Sequence, residues 1–121
     1  MNLRKVKAIF SVIIGFSILA LWIMLFLTDQ IPEIDTELFR ISFHIFSELL
    51  LAIILIISGI GLLRKSKRAE KLFLVAMGLL LYSVINAAGY YGQNGNWIMV
   101  VMFSAISLVS IMFTVFSFKK V

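Results

Sequence analysis

Long uncharged apolar runs, separated by short clusters of charged or turn-forming residues, organise this chain. Ala8 to Thr28 carries no charge, and from Ile41 to Leu63 the ionisable side chains are His44 and Glu48 alone. Leu72 to Phe118 again carries no formal charge. A hydrocarbon layer about 30 Å thick is crossed by roughly 20 apolar residues in a helix. The first two runs therefore suit one crossing each and the third suits two. The segment Gly89-Tyr90-Tyr91-Gly92-Gln93-Asn94-Gly95-Asn96 divides the third, because glycine and asparagine accept the positive φ angles of a tight turn. The pattern predicts an all-α integral membrane protein whose four transmembrane helices form an antiparallel up-down bundle. Its spans lie at about 8–28, 41–63, 72–90 and 97–118 of a single domain, 1–121.

Local signals refine the connections. Pro32 cannot continue a helix from upstream but suits the start of a new one. Asp35 or Thr36 is placed to cap the second long helix, and Glu33, Asp35 and Glu37 suit its positive N-terminal end. Ser66 is the expected cap of the third. Ser11 and Gly15, then Gly59 and Gly61, and the row Ser107, Ser110, Thr114 and Ser117 are small residues of the kind that let membrane helices approach closely.

Composition agrees with lipid as the solvent. The chain is 62% apolar and 14% charged, outside the soluble range of roughly 45–50% and about 25%. Its net charge of +5 does not signal nucleic acid, because the cations sit at the ends of apolar runs instead of among exposed aromatics. Arg4, Lys5 and Lys7 precede the first run. Arg64, Lys65, Lys67, Arg68 and Lys71 join the second and third, and Lys119 and Lys120 end the fourth. Lys and Arg beside membrane spans mark the cytoplasmic face, and with four spans all three clusters fall on one side. The other side receives Arg40 with Asp29, Glu33, Asp35 and Glu37. Both termini are therefore expected in the cytoplasm of a cell whose cytoplasmic membrane holds the protein. Trp22, Trp97, Tyr90 and Tyr91 lie toward the outer ends, where interfacial aromatics belong. The first run exceeds the apolar core of a signal peptide and no clear A-x-A site follows, so it is expected to remain as a span.

Chemistry has few places to reside. Without cysteine, thiolate catalysis, disulfide exchange, Cys-ligated zinc and iron–sulfur clusters are excluded. Ionisable residues inside a span are costly and so are candidates for function; His44 and Glu48, four apart, share one helical face. Arg40 continues that face outward. Ser83, Asn86 and Tyr90 share a face of the third span, and if the two faces meet, Glu48 gains hydrogen-bond donors and the bundle gains a polar cluster in its outer half. Such a cluster suits a small ligand, a cation or a proton; the other use of such groups is to hold helices together by interhelical hydrogen bonds. A metal at His44 and Glu48 would need further ligands from the acidic loop or another subunit, and a bis-histidine haem would need a histidine from another chain. No particular cofactor is implied.

The small multidrug resistance transporters are similar in length and span number, but their essential glutamate lies in the first span and this chain's lies in the second. The likeness is one of architecture. Three classes of function follow: a ligand-, ion- or proton-binding or transport-type module at the polar cluster, an accessory or assembly subunit of a larger membrane complex, and a metal-dependent intramembrane enzyme. The enzyme reading has the least behind it, since no nucleophile–base pair is present and no catalytic residue can be named. The partners expected are the lipid bilayer, a small ligand or cation, and a second copy or larger membrane complex if transport occurs.

Overall fold

A computed structural model describes residues 2–119; Lys120, counted above with the C-terminal basic cluster, lies outside them. The described residues form five helices: α1 (Leu3–Leu27), α2 (Glu33–Thr36), α3 (Leu38–Leu63), α4 (Ala69–Gln93) and α5 (Trp97–Phe118). The four long ones have 25, 26, 25 and 22 residues and are apolar enough to cross a membrane. At 1.5 Å per residue they are about 33–39 Å long, which exceeds a hydrocarbon core of about 30 Å.

Each long helix reaches beyond, or to the limits of, its apolar run because of how its ends are closed. Asn2 caps α1, its side chain accepting from the Lys5 amide at 2.9 Å, so Arg4, Lys5 and Lys7 lie inside the first turns. α1, α3 and α4 all end in one kind of turn, with a residue in left-handed conformation and a backbone bond reaching five residues back. Asp29 (φ 56), Lys65 (φ 57) and Gly95 (φ 75) hold the left-handed positions. The bonds run from Gln30 to Leu25, Ser66 to Gly61 and Asn96 to Tyr91. Glycine adopts that geometry without the Cβ clash that Lys65 tolerates.

Three local expectations are corrected. Asp35 and Thr36 do not cap α3: they lie in the single turn α2, and Glu37, at φ −138, breaks it and occupies the cap position without a side-chain bond to an α3 amide. Ser66 does not cap α4 with its hydroxyl. It supplies its carbonyl to the Ala69 amide at 3.3 Å, while Arg68 holds the cap position. The turn expected over 89–96 is confined to its last residues, because Gly89 and Gly92 stay helical and Asn96 caps α5 by accepting from Met99.

α1 packs on α3, α3 on α4 and α4 on α5. Small residues make the α1–α3 crossing close. A Cβ on Gly59 would lie 2.6 Å from Val12 Cγ2 and 2.8 Å from the Ala8 carbonyl, and one on Gly15 would lie 2.9 Å from the Ala52 carbonyl. In the same crossing Ser11 donates to the Leu55 carbonyl, and Ser58 donates to that carbonyl at 3.1 Å. Gly61 gives room to a different neighbour, the Ala69 Cβ at the α3–α4 corner.

The buried core is lopsided. In α1 the buried positions run from Lys7 to Gly15, in α4 from Ala69 to Val84, and in α5 from Ser110 to Ser117. In α3 they run from Leu51 to Leu62, with Ile41 apart from the rest. Ile41 aside, these lie toward the end of the bundle where Lys7, Glu70 and Ser117 meet, the basic end. Phe113 closes the core there, edge-on to Phe10 at 5.2 Å and tilted against Phe73 at 6.4 Å. Toward the opposite end the four helices bury little against one another.

The crossing makes a clear prediction. Gly59→Ala forces backbone and Val12 to move and should cost about 2 kcal/mol. Gly78, whose added Cβ would meet nothing within 4 Å, should accept alanine with no loss, or a gain of a few tenths of a kcal/mol from helix propensity. Reversible unfolding in mixed detergent micelles measures both, and equal effects would contradict the close crossing.

Candidate functional site

Two clusters built around a carboxylate interrupt the apolar interior of the described residues, and each is built by helices that meet at a particular height. The first joins α3 and α4. Glu48 faces α4, and Ser83 donates to its carboxylate, lying 2.8 Å from Oε1 and 2.9 Å from Oε2. His44, one turn away on α3, brings Nε2 to 3.9 Å from Glu48 Oε1, an ion-pair distance too long for a hydrogen bond. The imidazole packs edge-on to Trp22 of α1 at 5.6 Å. The Glu48 side chain is 14% exposed and that of His44 is 53% exposed, so the pair runs from the last buried layer, at Leu51, into the open half.

The other residues picked from the sequence lie elsewhere. Arg40 is exposed and pairs with Glu37 at 3.1 Å on its own stretch of chain. Asn86 is exposed, and its amide donates to the Tyr82 carbonyl of α4 at 2.8 Å. A step of three residues rotates about 300° around a helix, which is enough to carry Asn86 off the edge of the interface that Ser83 occupies. Tyr90 shares the side of Ser83 but lies about 10 Å farther along the axis. There it is half-exposed and packs edge-on to Tyr91, which in turn stacks on Phe103 of α5. Of the donors considered for Glu48, Ser83 alone reaches it.

The second group escaped the sequence reading. Lys7 has no exposed surface, and its ammonium lies 2.8 and 3.0 Å from the two Glu70 oxygens and 2.7 Å from Ser117 Oγ. The Phe73 ring lies 5.2 Å below it. By sequence, Lys7 reads as one of the topology-marking cations and Ser117 as one of the packing hydroxyls, and Glu70 has no assigned role. The available signal was Glu70 itself, the one acid C-terminal to Glu48 and set among five cations. The group ties the starts of α1 and α4 to the end of α5. An ammonium with its donors occupied in this way is anchored.

Metal chemistry finds little support in the arrangement. Among the described residues, no group of three or more His, Cys, Asp or Glu side chains is placed to hold an ion. His44 and Glu48 could supply two donors, fewer than a closed zinc site requires.

The fold thus defines an all-helical protein with four packed helices of membrane-spanning length and composition. Over residues 1–121 the chain belongs to the family described as Domain of unknown function (DUF8058). No curated protein and no solved structure matches it.

The Lys7 anchor is testable by a double-mutant cycle. Lys7→Met strands the largely buried Glu70 carboxylate and should cost about 3 kcal/mol. Adding Glu70→Met should recover most of that loss, since removing both partners of a buried pair is far milder than removing one. Additive losses in unfolding free energy would show that the pair is not coupled.

Proposed function

We propose that this is a multi-pass protein of the cytoplasmic membrane that binds a small ligand, a cation or a proton at Glu48, entering from the outer half of an antiparallel four-helix bundle. The observation that carries the reading is the place of the Glu48 carboxylate: in the middle portion of a membrane-length helix, at the boundary where the buried core stops. A carboxylate there is costly. Ser83 partly satisfies it, and His44 stands beside it on the side that leads outward. Ser83 orients the carboxylate, His44 supplies a second polar group that a proton or ligand can engage, and Trp22 walls the approach from α1.

The orientation belongs to the same proposal. Arg4, Lys5, the loop Arg64 to Lys71 and Lys119 would face the cytoplasm, and the acidic loop from Asp29 to Glu37 would face outward. A binding role needs one chain. Transport of the bound species would need a second copy, because a single bundle closed at its basic end by the Lys7 anchor and the Phe113 cluster leaves no continuous path.

Native mass spectrometry of the protein released gently from its own membrane, beside Glu48→Gln, tests the reading. The glutamine keeps the shape and an acceptor for Ser83, so the fold should persist. A small molecule or ion present on the wild type and lost from the variant is the expected result. A protein partner retained equally by both, with no small ligand on either, would replace the binding site with an accessory-subunit role and reduce Glu48 and Ser83 to interhelical hydrogen bonding.

A further inference from the structure

Among the described residues, the same pairing that anchors Lys7 leaves the cations around it without an acidic side chain. Glu70 is the only acidic side chain among the described residues at the basic end, and both its oxygens are engaged by Lys7. The ion pairs among the described residues are Lys7–Glu70 and Arg40–Glu37, and His44 stands 3.9 Å from Glu48. Arg68 and Lys71, on either side of Glu70, are exposed and belong to none of them.

These two cations are not scattered over a loop. Arg68, Lys71, Leu72 and Val75 line one shallow groove on α4. Their spacing is that of a single helical stripe, about 10 Å from first to last. Val75 is 53% exposed and Leu72 partly so, which makes the lower wall apolar and places two positive groups at its upper end. A soluble anion would use the cations and leave the wall idle, whereas a phospholipid uses both.

From this we infer that the groove is a site for one anionic phospholipid, its phosphate held by Arg68 and Lys71 and an acyl chain lying along Leu72 and Val75. The site is separate from Glu48 and stands whether or not Glu48 binds anything. Basic residues beside an anionic leaflet each add to its attraction. Two of them converging on one headgroup give a preference on the order of tenfold or more over a zwitterionic lipid.

The full chain, reconstituted in nanodiscs of equimolar phosphatidylcholine and phosphatidylglycerol, provides the test. After gentle release, retained lipid is counted by native mass spectrometry for the wild type, for Arg68→Gln/Lys71→Gln, and for Lys65→Gln/Lys67→Gln. The last pair removes the same charge from the same loop outside the groove. Glycerol phosphate is added in a parallel series as an acyl-free competitor. The expected result is one phosphatidylglycerol retained per wild-type chain, retention reduced on the order of tenfold in the groove variant and kept in the control variant, with glycerol phosphate a poor competitor. Equal losses in the two variants would reduce the effect to net charge and overturn the site. Full displacement by glycerol phosphate would overturn the part played by the apolar wall.

Discussion

A lysine with no exposed surface must find its partners inside the protein, and Lys7 finds them on two other helices at once. Its ammonium bridges Glu70 at the start of α4 and Ser117 at the end of α5. Stranding either charge in so dry a setting costs several kcal/mol. The starts of α1 and α4 and the end of α5 are therefore held in one register. Around that point Phe113 packs edge to face on Phe10 and tilted on Phe73, and the buried layers accumulate. In lipid, where apolar contact between helices gains little over contact with acyl chains, a polar anchor and close packing of small residues are the main means of association. The crossing of α1 and α3 through Gly15, Gly59 and the Ser11–Ser58 pair supplies the second of these.

The asymmetry of the bundle follows from where these two devices sit. Both lie toward the basic end, and among the described residues no comparable anchor joins α1 to α5 at the other. There the contacts are local: Trp22 on His44, Tyr91 on Phe103, and Ser83 on Glu48. Helices tied at one end and only loosely joined at the other leave a polar residue at the junction neither fully buried nor fully solvated, and that is where Glu48 lies. The proposed binding role depends on this placement more than on any motif.

What the residues disclosed, and what they withheld, has a physical pattern. The long helices were legible because each needs an apolar run of membrane length and nothing else, and Gly95 marked its turn because few side chains tolerate that backbone. Helix ends were less legible. Asp35, Thr36 and Ser66 are good caps by residue type, yet Glu37 and the left-handed Lys65 redirected the chain before they could act. Spacing alone set Ser83, Asn86 and Tyr90 on one face of α4, but the interface with α3 is narrow. The geometry admits Ser83, turns Asn86 back to its own helix and leaves Tyr90 too far along the axis. The Lys7 anchor was hidden for a different reason. A lysine before a span ordinarily reports orientation, and nothing in one helix's sequence says that residues 63 and 110 positions away converge on it.

The proposed site requires a bundle closed from Leu51 to its basic end and open to water from the other end as far as Glu48. Because the chain contains no cysteine, single replacements along α3 report this directly: His44→Cys, Glu48→Cys, Leu51→Cys and Leu55→Cys, each treated in the membrane with a water-soluble, membrane-impermeant thiol reagent. Rapid labelling at positions 44 and 48, a sharp fall at 51 and none at 55 are the expected results. Labelling that reaches 55, or a position 48 as inert as 55, would contradict this arrangement.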